Sequence, residues 1–188
     1  MKKIKFIVAL LAVVVCSGVV SSCGDDDEPS ITKNQLTKRG ETVDLLYAGI
    51  FKDSWGYSIF ITNDASVDLT KEVGTESNPV PDDFVTIDIP FKKLGKRVKN
   101  VKDVTGDEDY YFGASVDGSF KWFDGKYLVK YNGYVDYDDK GMLIVDITAE
   151  NDYTKETEKN LKMLAKESVN VTFKGKPIVS SEYLYNGY

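Results

Sequence analysis

The sequence predicts a mainly β chain: an antiparallel β-sandwich with one short helix near 152–167, the alternative closure being a lipocalin-like β-barrel. Eight or so short runs rich in strand formers recur at intervals of roughly ten residues. Turn signals built from Gly, Asp, Asn and Pro separate them. One segment alone, 152–167, carries a helical period instead.

Taken in order, Val43-Asp44-Leu45-Leu46-Tyr47-Ala48-Gly49-Ile50-Phe51 reads as the first strand and stops at Lys52-Asp53-Ser54. Gly56–Thr62 alternates well enough to be its partner, and Asp53-Ser54-Trp55-Gly56 between them has hairpin-turn chemistry. Residues 63–83 carry Asn, Asp, Gly, Pro79 and Pro81 and read as a long surface loop, a type often retained for function. Phe84–Ile89 is an alternating strand ended by Pro90. Asp109–Val116 and Ser119–Phe123 follow, closed by Asp117-Gly118 and Asp124-Gly125, pairs that accept positive φ.

The best hairpin is Lys126–Tyr137, the turn Asp138-Asp139-Lys140-Gly141, and Met142–Ala149. Tyr127, Val129, Tyr131, Val135 and Tyr137 are expected on one face of its first arm, and Leu143, Val145 and Ile147 on one face of its second. Asp152–Glu167 is polar, yet Tyr153, Thr157, Leu161, Leu164 and Ala165 recur at helical spacing, with Asn151 or Asp152 as N-cap. A long charged hairpin loop is the other reading of that segment. Val169–Phe173 closes the set, and no internal repeat at a fixed period is present.

The start of the chain has a different logic. Met1-Lys2-Lys3-Ile4-Lys5 is basic, Phe6–Cys16 is an unbroken apolar run, and Val20-Ser21-Ser22-Cys23 is followed at once by Gly24-Asp25-Asp26-Asp27-Glu28-Pro29. The apolar run is too short for a stable membrane-spanning helix and fits the core of a signal peptide. The small residues and the cysteine after it resemble a bacterial lipobox. With the acidic run that follows, these residues resemble the signal of Bacteroidota surface lipoproteins. The resemblance covers about the first 29 residues and leaves the family of the domain open. It implies a signal peptide over 1–22 and a thioether-linked lipid on Cys23. It also implies anchoring at the outer membrane, exposed on the cell surface. Composition and the strand pattern, apart from the resemblance, make 23–35 an acidic tether and 36–188 a single β-rich domain. Asp25-Asp26-Asp27-Glu28 has a plainer reading too, as a solvated charged spacer.

Removing 1–22 leaves 166 of the 188 residues, enough for one domain with a real core. That segment holds three of the 24 basic residues and none of the 30 acidic ones, so 21 against 30 leaves a formal charge of −9. Such a balance opposes nucleic-acid binding, which rests on basic side chains neutralising phosphates. Cys16 leaves with the signal and Cys23 is consumed by lipid, so the fold rests on packing without a disulfide. The chain has no histidine, which removes Ser-His-Asp and Cys-His systems and His-based zinc sites. Carboxylate pairs could still serve glycoside hydrolysis, but 30 acidic residues supply pairs without meaning. No nucleophile elbow, phosphate loop or dinucleotide glycine pattern is present. The expectation is no enzyme and no cofactor.

Three charged features each have a plain structural reading. Asp136–Gly141 has oxygen ligands at the first and third positions of a calcium loop, but Lys140 stands at the fifth and Ile147 at the twelfth, so a solvated turn is the better account. Asp103, Asp107, Glu108 and Asp109 form an acidic cluster without ligand spacing. Six basic residues between Lys92 and Lys102 could grip an anionic partner, or guard an edge strand. Aromatic residues make up 12% of the chain, and Tyr and Trp faces stack on sugars. Trp55, Tyr57 and Trp122 are therefore the candidate binding residues, with the 63–83 loop beside them. The function this supports is a non-catalytic binding or interaction module for glycan or protein. A structural or accessory envelope lipoprotein and a barrel carrying an apolar ligand are the alternatives.

Overall fold

The computed structural model describes residues 28–107, 110–123, 125–154 and 166–185; the signal segment, Cys23 and residues 24–27 lie outside them. The first sheet is built from β1 (Gln35–Lys38), β2 (Glu41–Asp44), β6 (Lys96–Val98), β9 (Leu128–Tyr137), β10 (Leu143–Asp152) and β11 (Lys166–Gly175). The second is built from β3 (Tyr47–Lys52), β4 (Gly56–Thr62), β5 (Phe84–Pro90), β7 (Tyr111–Val116), β8 (Ser119–Trp122) and β12 (Ile178–Val179). Their orders are β2-β1-β11-β10-β9-β6 and β12-β3-β4-β5-β7-β8. All pairings are antiparallel except that of β12 with β3.

The architecture is a β-sandwich. Both sheets keep open edges, so the barrel alternative is corrected. Between them lies one core, to which β4 and β5 give Ile59, Ile61, Val85 and Ile87, and β10 and β11 give Val145, Ile147 and Val171, all fully buried. Strand β1 runs across the second sheet. At one end Asn34 accepts from Leu45 N just before β3, and at the other Lys38 donates to the Ser119 carbonyl of β8, at the far edge.

Several sequence expectations change for identifiable reasons. The run Val43–Phe51 is not one strand, because the chain passes between sheets inside it. Leu45 N bonds Asn34 O at 2.9 Å in the first sheet, and Leu46 N bonds Thr62 O at 3.0 Å in the second. In β9 the face assignment fails at Val129, which is 45% exposed, while Leu128 is buried. A register shift opposite Glu150 and Asn151 re-aims the strand there. The ends of the helix expected over 152–167 are strand: Asp152 pairs with Lys166, and Asn151 with Glu167. Residues 155–165 between them lie outside the described residues. A short helix, α1, forms at Val101–Thr105, where the Asn100 side chain caps Lys102 N.

The Asp117-Gly118 turn forms between β7 and β8 as its chemistry requires, with φ of 52° and 69°. The β1–β2 hairpin turns on Arg39 and Gly40, whose φ of 55° and 85° repeat the same geometry with a residue less suited to it.

A second, smaller core covers the outer face of the second sheet. Phe60 and Phe84 project outward there and are sealed by Leu69 and Val73 of the 63–83 loop and by Leu184 of the C-terminal strap, residues 180–185. Val73 N bonds Leu184 O at 2.7 Å, and Ser180 Oγ donates to Thr70 O at 3.0 Å. Asn78, 3% exposed, holds the loop's shape by donating to the carbonyls of Asp68 and Glu72 and accepting from Asp68 N. The loop thus closes a core as well as presenting a surface.

Candidate functional site

The three aromatic residues singled out by sequence do not come together. Trp55 occupies the β3–β4 turn, half-buried, and its carbonyl accepts from Phe91 N at 3.1 Å. Tyr57 points toward the sandwich interior, meeting Phe91 and Tyr137 edge-on at 5.3 and 5.6 Å. Burial, and then the neighbouring Tyr137, push its phenol above the ordinary range. Trp122 stands at the opposite edge, on β8, three strand spacings or about 14 Å from β4.

Trp122 has better company than sequence could assign it. Its ring meets Phe120 at 4.9 Å and Tyr111 at 6.3 Å, both edge-on. Gly113, its cross-strand partner, makes room: an added Cβ would come within 2.9 Å of the indole and 2.6 Å of the Phe120 ring. Tyr111 and Trp122 are half-buried, each with part of its ring open to solvent, and their planes meet at 67°, which forms a corner with one ring as floor and the other as wall. An apolar sugar face fits such a corner by stacking.

The row beside Tyr111 carries polar groups. Strand register sets Ser58 opposite Asp88 and Asp88 opposite Tyr111. Asp88 is 4% exposed and Ser58 1%. Tyr183 of the strap donates to Asp88 Oδ2 at 2.5 Å, whereas Asp88 Oδ1 and Ser58 Oγ make no hydrogen bond of ordinary geometry. Burial raises the Asp88 carboxyl above its usual range, against the lowering effect of these hydroxyls. An acid whose folded-state pKa is raised is penalised once ionised, so its contribution to stability falls as pH rises from its ordinary value near 3.8 through the folded-state value. Asp88→Asn keeps an acceptor for Tyr183 and removes the ionisation. Its urea midpoint at pH 7 is expected to equal or exceed that of the parent, with a flatter pH dependence between 4 and 7; a lower midpoint at pH 7 would contradict this.

A second polar cluster sits inside one end of the sandwich. Lys38 and Glu167 are each 1% exposed and form an ion pair at 3.1 Å, joined by Arg39 Nε at 3.1 Å. Lys38 also donates to the Ser119 carbonyl, and Asn151 Nδ2 donates to the Trp122 carbonyl at 2.8 Å and to Tyr153 Oη at 2.9 Å. These bonds tie the first sheet to β8, beneath the aromatic corner. Burial lowers the Lys38 pKa, partly offset by Glu167. The cluster positions β8; the Lys38–Glu167 pair at its centre is buried, so it is a clamp and not a contact surface.

Three of the six basic residues between Lys92 and Lys102 form ion pairs with described acidic residues. Lys92 and Lys93 meet Asp107 at 2.8 and 3.2 Å, and Arg97 meets Asp146 at 3.0 Å. Lys96–Val98 forms the edge strand β6, as the edge-guarding account requires. The Asp138 side chain accepts from Lys140 N and Met142 N, which makes Asp136–Gly141 a capped turn. Glu108 and Asp109 lie outside the described residues, and among those described no cluster of three or more His, Cys, Asp or Glu could hold a metal ion.

Tyr111, Asp88 and Tyr183 were missed by sequence reasoning. No local signal marks them, because strand register and the strap bring them beside Trp122. No protein-family model, curated protein or solved structure matches the chain, so the site is read from its own residues.

Proposed function

We propose that this protein is a non-catalytic binding module, held by a lipid on Cys23 at the outer surface of a bacterial outer membrane, and that it takes a glycan through the Tyr111–Trp122 corner. The signal-like start, the cysteine and the acidic run support the address. The single observation that carries the binding reading is the pair of partly exposed rings, Tyr111 and Trp122, meeting at 67° on the outer face of the second sheet, where Gly113 leaves room for the indole. Aromatic faces of this kind bind the apolar face of a sugar by stacking. The corner is built on two paired strands and clamped from below by Asn151, so it is preorganised.

Retention on a glycan array tests this. Trp122→Ala and Tyr111→Ala are each expected to reduce retention by about tenfold or more, the effect of removing a central aromatic contact. Trp55→Ala, at the opposite edge of the sheet, is expected to retain parental binding. Loss with Trp55→Ala alone would move the site to the β3–β4 turn, and unchanged retention in all three would retire the glycan reading. Near-UV circular dichroism verifies that each variant keeps the parental packing.

A further inference from the structure

Resting on the lipid-anchor reading, we infer that the β3–β12 edge of the second sheet lies against the headgroup region of the bilayer, so that the anchored domain meets the membrane by one defined side. The argument begins with chain length. Glu28 binds Lys174 Nζ at 2.6 Å, Asn34 accepts from Lys174 N at 2.8 Å, and Thr172 Oγ1 donates to the Lys33 carbonyl at 2.8 Å. The segment from Glu28 to Asn34 is thereby fastened to the end of β11. Five residues lead back from Glu28 to Cys23, a reach of at most about 18 Å. A lipid on Cys23 holds Glu28 within that distance of the interface and, through its ion pair with Lys174, the end of β11 nearby; β12 begins at Ile178, three residues after β11 ends at Gly175.

What stands at this edge suits a lipid surface. Leu46, Tyr47, Ile178 and Val179 are 60%, 39%, 45% and 66% exposed, four of the seven exposed large hydrophobic residues among those described. Leu46 shares an open groove of about 690 Å³ with Ile31, Lys33, Asp44 and Lys174, so the apolar edge and the tether are neighbours. A fifth exposed residue, Phe91, lies near the far end of β3, with Lys52 Nζ 5.5 Å from its ring centre. Lys33 beside the tether, Lys176 between β11 and β12, and Lys52 at the end of β3 are exposed. Aliphatic and aromatic side chains enter the boundary between headgroups and acyl chains, while lysine stems lie alongside and place their amines at phosphates. Asp44 and Glu28 offset part of that charge, so insertion of apolar side chains is the main attraction. Strand addition by another protein is disfavoured, because β12 offers an edge only two residues long. The Tyr111–Trp122 corner, at the other edge of the same sheet, then faces away from the bilayer.

The test uses the full chain purified from cells with its acyl groups, checked by intact mass, and reconstituted in phosphatidylethanolamine–phosphatidylglycerol vesicles. Leu46→Cys, Val179→Cys and, as the remote control, Glu41→Cys each carry one fluorophore, since the mature chain's own cysteine is acylated. Bromine-labelled lipids are expected to dim the labels at 46 and 179 by about twofold or more while leaving that at 41 unchanged. Uniform or absent quenching in acylated protein that floats with the vesicles overturns the docking edge and leaves the anchor standing. A chain that carries no acyl mass and does not float overturns both.

Discussion

Glu167→Ala is expected to destabilise the fold by about 3–5 kcal/mol, because it strands the ammonium of Lys38 inside the sandwich. Both side chains of the pair are 1% exposed, so water cannot replace the lost carboxylate. Arg39, 40% exposed, can turn to solvent, but Lys38 stays beside the Ser119 carbonyl and shares its charge with no anion. A double change, Lys38→Met with Glu167→Leu, should cost less than Glu167→Ala alone, since it leaves no unpaired buried charge. Urea unfolding of the two variants measures this, and a double variant no more stable than the single one would show that the pair is not the source of the loss. Alkaline pH provides a second check on the same lysine. Its folded-state pKa lies below the ordinary 10.5, so the unfolded chain holds the proton more tightly. Stability should therefore rise with pH in the window between the lowered value and 10.5.

Phe84→Ala should have an effect of similar size, about 3–5 kcal/mol, for a different reason. Phe84 is the hub of the outer core, with ring centres of Phe60, Phe120 and Tyr185 at 5.0, 5.2 and 5.4 Å. Removing it opens a void between the second sheet and the strap, and three aromatic rings lose a packing partner at once. The loss should be local before it is global. Exchange at the Val73 amide, bonded to Leu184 O, should accelerate more than exchange at Val145 in the main core. If both accelerate equally, the strap and the sandwich unfold as one unit.

Much of the sheet structure is legible in the sequence where the signal is local. Asp117-Gly118 specifies a tight turn because both residues accept positive φ, and that turn is present. Alternation in Phe84–Ile89 and in Leu143–Ile147 reports real strands with an inward face. Reading fails where two sheets share one apolar run. Val43–Phe51 looks continuous because Leu45 and Leu46 are both apolar, although one is 1% and the other 60% exposed. Strand β1 escapes notice for a related reason. Its inward residues are Leu36 and Lys38, and a buried lysine looks like a surface residue until Glu167 is brought opposite from the far end of the chain.

The site follows the same division. Trp122 stands out as one of two tryptophans, so composition alone directs attention to it. Tyr111 and Asp88 gain their meaning from register, and Tyr183 from a strap more than 90 residues away from the carboxyl it binds. Such partners are not encoded at any fixed spacing. Tyr57 misleads in the opposite direction, since the sequence cannot tell a ring that fills the mouth of a core from one offered to a ligand.

The pairing of β1 with β11 carries a consequence for how the molecule comes into being. Asn34 and Lys174, which flank that ladder, are 140 positions apart. During synthesis the first hairpin has no sheet to join until nearly the whole chain exists. A polypeptide whose earliest strand waits for its penultimate one can complete its first sheet only when synthesis is nearly finished, and such long-range pairing slows folding for its length.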